Sequence, residues 1–262
     1  MGAFMRELEL AKRLAVKAGD FLLGHLGGRR RIRFKGSGTT NVVTEMDRAS
    51  EDMIVRRLRR EFPDHAIVAE EGGAHGDSPC CWHIDPLDGT TNYAHGLPIW
   101  SVSIAYAVRG RVEAGAIYAP TFGTLFWAQR GHGAFRNGQP IRVSRTNRMG
   151  EALLATGFPY REPMRSMNLR YFAAFMTRTQ ALRRPGSASL DIAWVASGAL
   201  DGYWEFSLGS WDIAAGILLA EEAGARVSDF RGRPVDLSVG QVLMANPRLH
   251  RQMLAVLGRV RL

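Results

Sequence analysis

Trp82-His83-Ile84-Asp85-Pro86-Leu87-Asp88-Gly89-Thr90-Thr91-Asn92 sets two carboxylates three residues apart, directly after a short apolar run and directly before a Gly-Thr-Thr corner. The apolar run reads as a strand. Proline restricts its own backbone and that of the residue before it, so Asp85-Pro86-Leu87-Asp88 turns the chain and brings both aspartates and the Leu87 carbonyl toward one point. Gly89 allows close backbone approach. Thr90-Thr91-Asn92 is predicted to open a helix, whose first N–H groups lack intrahelical partners and suit an anion.

Working outward, Ala66-Ile67-Val68-Ala69 reads as a short buried strand that delivers Glu70 and Glu71 at its C-terminal end. Before it, a helix is predicted over 46–61 with Ile54, Leu58 and Phe62 on one face, stopped by Pro63-Asp64 and preceded by the polar Gly36-Ser37-Gly38-Thr39-Thr40-Asn41 loop and Val42-Val43. The chain begins with an amphipathic helix over 4–22 (Phe4, Leu8, Ala11, Ala15, Ala18, Leu22), ended by Gly24 and Gly27-Gly28. From 101 to 143 the pattern becomes an antiparallel meander, with strands at 101–108, 112–118, 125–128, 133–135 and 141–143 and tight turns at Arg109-Gly110 and Asn137-Gly138. Helices follow at 164–178, 189–198, 212–223 and 247–257, with strands at 152–155, 201–206, 225–229 and 242–245. Helices interleaved with mixed strands indicate layered α+β structure and not a simple parallel βαβ fold. The expected organisation is one unit over 1–262: an N-terminal α+β part, 1–145, with most of the candidate metal ligands, and a C-terminal α/β part, 146–262, with Asp212.

Length and a 46% hydrophobic content allow a full core. No run of about 18 apolar residues suits a membrane span, and Arg6, Glu7, Glu9, Lys12 and Arg13 interrupt what a signal peptide would keep apolar, so a cytoplasmic protein without membrane contact is expected. Cys80 and Cys81 are adjacent, a poor geometry for a disulfide, and no zinc spacing is present. The formal charge of +9, with clusters at Arg29-Arg30-Arg31, Arg56-Arg57, Arg59-Arg60 and Arg183-Arg184, invites a nucleic-acid reading. Lysine occurs only at 12, 17 and 35, an arginine bias that coding composition can produce without any function, and no binding module accompanies it. The same charge attracts anionic phosphate esters.

Phosphate monoesters resist attack because their oxygens repel nucleophiles, and divalent cations held by carboxylates and carbonyls remove that obstacle. Glu70, Asp85, Asp88 and Asp212 supply the carboxylates. Each has an ordinary reading by itself. Asp212 opens an apolar helix after Trp211, where the helix dipole favours an acid; Asp47, three residues after Thr44, has capping-box spacing; Glu70-Glu71 is a polar strand end; and Thr90 is a helix-start hydroxyl. His83 and His95 lack the spacing of a metal motif or triad and read as structural. An EF-hand is excluded because Gly96 stands where the loop requires glutamate, and dinucleotide, P-loop and GxSxG patterns are missing.

Four ordered blocks, Val43-Thr44-Glu45-Met46-Asp47, Glu70-Glu71-Gly72, Asp85 through Asn92, and Trp211-Asp212-Ile213-Ala214-Ala215-Gly216 followed by Glu221-Glu222-Ala223-Gly224-Ala225, resemble the lithium-sensitive, magnesium-dependent inositol monophosphatases, relatives of fructose-1,6-bisphosphatase. The resemblance implies a layered αβαβα sandwich, a homodimer and two to three Mg2+ ions. Glu70, Asp85 and the Leu87 carbonyl would hold one ion; Asp85, Asp88 and Asp212 a second; Glu70 would reach a weaker third. Asp47 and Thr90, with Glu70 alongside, would be catalytic and activate water; Gly89, Thr90 and Thr91 would bind phosphate; Ala188 and Glu205 would contact the polyol. The loop at 36–40 departs from the family's more acidic approach to the Val-Thr block. The expected activity is hydrolysis of inositol 1-phosphate or a related polyol phosphate by metal-activated water. Alternatives are fructose-1,6-bisphosphatase or histidinol-phosphatase activity, or an RNA- or transcription-complex-associated regulatory role.

Overall fold

Two large sheets, a two-stranded ribbon and seven α-helices make up the computed structural model, which describes residues 4–27, 32–34, 42–160 and 162–260. The 36–41 loop and the Arg29-Arg30-Arg31 cluster lie outside the described residues. After helix α1 (Met5–Gly24), the ribbon pairs β1 (Ile32–Phe34) with β2 (Val42–Thr44), and α2 (Glu45–Glu61) follows directly.

The larger sheet contains β3 (Ala66–Ala69), β4 (Gly73–His75), β5 (Cys80–Asp88), β6 (Ser101–Val108), β7 (Arg111–Ala119), β8 (Thr124–Gln129), β9 (Gly133–Arg136) and β10 (Gln139–Pro140), in the order β10-β9-β8-β7-β6-β5-β3-β4. From β6 onward each strand pairs antiparallel with the next, the expected meander. The short α3 (Thr90–His95) leaves the end of β5. The second sheet, β12-β11-β13-β15-β14, is built from β11 (Leu153–Thr156), β12 (Ala181–Arg183), β13 (Gly202–Glu205), β14 (Arg226–Ser228) and β15 (Val242–Ala245). Helices α4 (Met164–Met176), α5 (Ala188–Ala196), α6 (Ser210–Glu222) and α7 (Pro247–Leu257) complete the chain, and no helix among the described residues is long and apolar enough to cross a membrane.

Side-chain alternation along the strands sorts the core into layers. Leu8, Leu14, Ile54 and Leu58 of α1 and α2 pack on one face of the large sheet against Trp82, Ile84 and Ile104. Ile192 and Val195 of α5 and Ile213 and Leu218 of α6 occupy the middle, between Ile117 and Phe126 of the large sheet and Tyr203 and Met244 of the small one. Trp204 and Leu243, one residue over from that pair, face outward to Phe175 of α4 and Leu249 and Met253 of α7. The order is αβαβα. Being covered by sheets on both sides explains why α6 is buried along Ile213 to Ala220 and shows almost no polar face. The approach is close at Gly115 of β7, where an added Cβ would lie 2.9 Å from the Ala215 Cα.

Three sequence expectations need correction. The 141–143 segment forms no strand: the edge pairing stops at Pro140, and the Val143 N–H turns to the Ala223 carbonyl at the end of α6. Strands β1, β4 and β12, three residues each, had no alternation long enough to announce them. The Asp-Pro-Leu-Asp motif does not follow the central strand but lies inside it, since β5 runs through Asp88.

Candidate active site

Strand β5 solves a parity problem. Residues three apart on a regular strand point to opposite faces. Asp85 pairs with Ser103 and Asp88 with Ser101, so Pro86 and Leu87 together oppose the single residue Val102. This one-residue bulge returns Asp88 to the face of Asp85, the face that receives α5 and α6. Two backbone groups released from the ladder are satisfied locally: Ser50 of α2 donates to the Pro86 carbonyl at 3.0 Å and the Leu87 N–H donates to Asp85 Oδ1 at 3.0 Å, while the Leu87 carbonyl lies 3.0 Å from the Thr90 hydroxyl and shares that single proton with Asp47.

Asp212 arrives from the first turn of α6. Its Oδ2 accepts the Gly209 N–H at 2.6 Å, so the helix-start reading is right, yet the same carboxylate also turns into the cluster. One oxygen from each of Asp85, Asp88 and Asp212 lies within 4.8 Å of the others, a group able to hold a metal ion. Burial, and then the charges of Glu70, Asp88 and Asp212, push Asp85 well above the ordinary carboxylate range. Burial, followed by Glu70 and Asp88, does the same to Asp212. Carboxylates so placed repel one another, and a cation relieves both the repulsion and the lost hydration. The donor set, all hard oxygen, fits magnesium-like ions.

Asp88 has a further task. Its Oδ2 accepts from the Ser187 hydroxyl at 2.7 Å, the Ser189 N–H at 2.7 Å and the Ser189 hydroxyl at 2.6 Å, while Oδ1 accepts the Ala188 N–H at 3.1 Å. The acid therefore docks the start of α5, and with it Ala188, onto the central strand. Burial raises its pKa, and these donors oppose the rise.

Asp47, fully buried in α2, meets the Thr90 hydroxyl at 2.8 Å across 43 residues of sequence. A hydroxyl has one proton; given to Asp47, it leaves the Thr90 lone pairs available toward the pocket. Gly89, at φ 91°, starts α3, and an added Cβ there would lie 3.0 Å from the Ile99 carbonyl oxygen. Glu70 lines the same pocket as Asp85, Leu87, Asp88, Gly89, Thr90, Ala188, Glu205 and Asp212, although the three-carboxylate group forms without it. The turn that carries it is tied down by the Glu71 N–H, which donates to Glu51 of α2 at 2.8 Å. Thr91 lies on α3 outside the pocket lining. His83 hydrogen-bonds Ser210 at 2.8 Å, and burial lowers its pKa to about 4, so it packs as a neutral ring; His95 is exposed.

The pocket encloses about 230 Å³. At its far wall burial raises Glu205 to about 7 against the Tyr203 hydroxyl that donates to it, and Gly157 leaves the room its carboxylate fills. Sequence reasoning missed Tyr203, Gly157, Tyr160 and Asp191; for Asp191 the available signal was one acid inside the apolar stretch Ala188–Ala196. Of the Arg183-Arg184 cluster, Arg184 lines the pocket and Arg183 folds back on the Leu182 carbonyl.

The profile described as "Inositol monophosphatase family" matches residues 5–261. The chain belongs to the inositol monophosphatase family. As a member it is a phosphatase. An "Inositol-1-monophosphatase" of Synechocystis sp. is 42% identical over 250 residues, covering 94% of this chain and 86% of that protein. A "Nus factor SuhB" of Pseudomonas aeruginosa is 41% identical over 257 residues, covering 95% of each. Among solved structures, the extragenic suppressor protein suhB of Bartonella henselae superposes with TM-score 0.92 at 35% identity, over 97% of this chain and 99% of that one. The inositol monophosphatase of Anabaena gives 0.89 at 38% identity, over 99% and 98%. The family's expected αβαβα architecture is thus the one this phosphatase has.

Proposed function

We propose that the phosphatase hydrolyses inositol 1-phosphate or a closely related polyol phosphate, using two to three magnesium ions. The observation that carries the reading is the meeting of Asp85, Asp88 and Asp212 beside the Thr90–Asp47 pair. Asp85, Asp88, Asp212, Glu70 and the Leu87 carbonyl would hold the ions. Bound there, they supply positive charge against the phosphoryl and leaving oxygens.

The chain's own groups do the rest. Thr90, its proton directed at Asp47, accepts a hydrogen bond from the attacking water and orients it; Asp47, held in the dry interior of α2, receives the proton through that hydroxyl. Gly89 and Thr90, which line the pocket at the start of α3, offer N–H groups to the phosphate, with Thr91 next along the helix as the third donor. Ala188 and Glu205 flank the alcohol portion. The proposal treats 1–262 as one catalytic unit, with the 1–145 part supplying every ion-holding residue but Asp212 of the 146–262 part, in a cytoplasmic homodimer inhibited by lithium.

The test is a panel of initial rates on inositol 1-phosphate, fructose 1,6-bisphosphate and histidinol phosphate, with magnesium, with chelator and with lithium. Fastest turnover of the inositol ester, lost in chelator and inhibited by lithium, is expected; no phosphate release from any ester sinks the reading. A second reading, contact with RNA or a transcription complex, is supported by relatives named Nus factor SuhB. Basic side chains Lys17, Arg56, Arg57 and Arg60 share one surface depression and suit such a partner. Binding to RNA that falls steeply with salt would support it; none at low salt would remove it.

A further inference from the structure

Asp212 reaches the acid cluster from a different layer than Asp85 and Asp88, so the spacing of the three depends on where α6 begins. Packing fixes that helix from Ile213 to Ala220, but its first three residues, Ser210, Trp211 and Asp212, are only partly buried. The approach to them is not regular structure. Ser207 lies at φ 66°, in the left-handed region, and the N-cap Gly209 has no side chain to bond the first turn. On the outer flank of the turn a depression of about 780 Å³, lined by His83, Ser210, Trp211, Pro234 and Leu237, leaves it without close packing on that side.

What crosses from the turn to the large sheet is hydrogen bonding. His83 Nδ1 lies 2.8 Å from Ser210 Oγ over a sequence separation of 127 residues, and the Ser103 hydroxyl donates to the Trp211 carbonyl at 3.3 Å. The shorter bond is placed in parallel with the cluster. His83 stands two residues before Asp85 on the same face of β5, and Ser210 stands two residues before Asp212 on α6. The bond therefore bridges the same gap as the carboxylates, about 6.6 Å further along the strand. Neither side chain is a carboxylate, so the pair spans the gap without adding to the repulsion among the acids.

We propose that His83 and Ser210 are positioning residues for ion binding: their hydrogen bond holds the first turn of α6 at the distance from β5 at which Asp85, Asp88 and Asp212 lie within reach of one ion. This rests on the magnesium reading above and adds what sets the spacing of the residues that would hold the ions. Carboxylates repel one another until a cation enters, which favours opening of the unloaded cluster. A spacer that resists the opening leaves less ordering to be done on binding, and so raises affinity without touching the ion.

The test is titration calorimetry of magnesium into the substrate-free protein, with melting temperature in chelator measured alongside. S210A and H83A should each weaken magnesium binding about 3- to 10-fold, the range for one net hydrogen bond. The double variant should lose no more than the more affected single, because the two side chains act as one pair. H83N, whose amide keeps a hydrogen-bonding atom near the place of Nδ1, and S210T, which keeps the hydroxyl, should recover most of the affinity. Magnesium affinity within twofold of the parent in whichever of S210A and H83A folds overturns the inference, even if melting in chelator falls, since that is the pattern of a packing role alone. Losses that add in the double variant, or H83N binding as weakly as H83A, overturn it as well. A parent protein that takes up no magnesium overturns the ion reading and this one with it; a parent that binds magnesium while S210A binds it equally well overturns this one alone.

Discussion

Glu205 links the pocket to stability through pH. Burial raises its pKa from the ordinary 4.5 to about 7, so between those values the folded protein keeps a proton that the unfolded chain releases. The sign follows: stabilisation by the proton is complete below pH 4.5 and is lost as pH rises through 7. At about 1.4 kcal/mol per pH unit the loss is about 3 kcal/mol. Glu205→Gln removes the titration. It also alters the bond from Tyr203, but that cost does not change with pH and cancels in a difference. The assay is urea unfolding of metal-free parent and E205Q proteins at pH 5 and pH 8, with equal m-values checked first. The stability of E205Q relative to the parent should improve by about 2.5 kcal/mol between the two pH values, part of the loss having occurred already at pH 5. A difference under about 1 kcal/mol would show that the Glu205 carboxylate is solvated or paired and refute the reasoning.

Other outcomes follow from the same geometry. Asp212→Asn should cut turnover about 100-fold or more while far-UV circular dichroism stays native, and near-normal kcat would remove Asp212 from the ion-holding set. Asp88→Asn is a harsher change than the motif suggests, because an amide replaces one oxygen facing the α5 donors; about 2 kcal/mol of destabilisation in urea is expected, and none would mean that those bonds are dispensable. Gly115→Ala should cost about 1–3 kcal/mol by pressing on Ala215, and an unchanged midpoint would show that α6 has slack. Magnesium should raise the melting temperature at pH 8 in a concentration-dependent way, and the rise should vanish in D212N; a rise that survives there points to ions held elsewhere.

Much of this was legible in the sequence, for reasons that differ by element. Helix α6 announced itself through its apolar run, and the meander through alternation and two-residue turns, since both are local periodicities. The blocks around Asp47, Glu70, Asp85 and Asp212 were recognisable as a set, yet their ordinary readings as cap, strand end and helix start were each locally sound. What decides otherwise is layer packing, which joins Asp47 to Thr90 over 43 residues. Asp88's grip on α5 was hidden because Ser187 and Ser189 look like ordinary helix-start residues. Asp191 was overlooked because an acid in a helix is unremarkable until both sides of that helix prove to be covered.

Which way Asp88 points is settled by counting and not by fit. Losing the bulge at constant length, so that Asp88 slides one place along β6, would turn the second aspartate out of the pocket toward the α1–α2 side, whereas deleting Pro86 or Leu87 would leave the two aspartates two apart and still on one face. Replacing Leu87 by another apolar residue leaves the count intact. With two residues between the aspartates, what has to persist is the two-against-one pairing with Val102, because that pairing and not the apolar side chain at 87 sets the direction of Asp88.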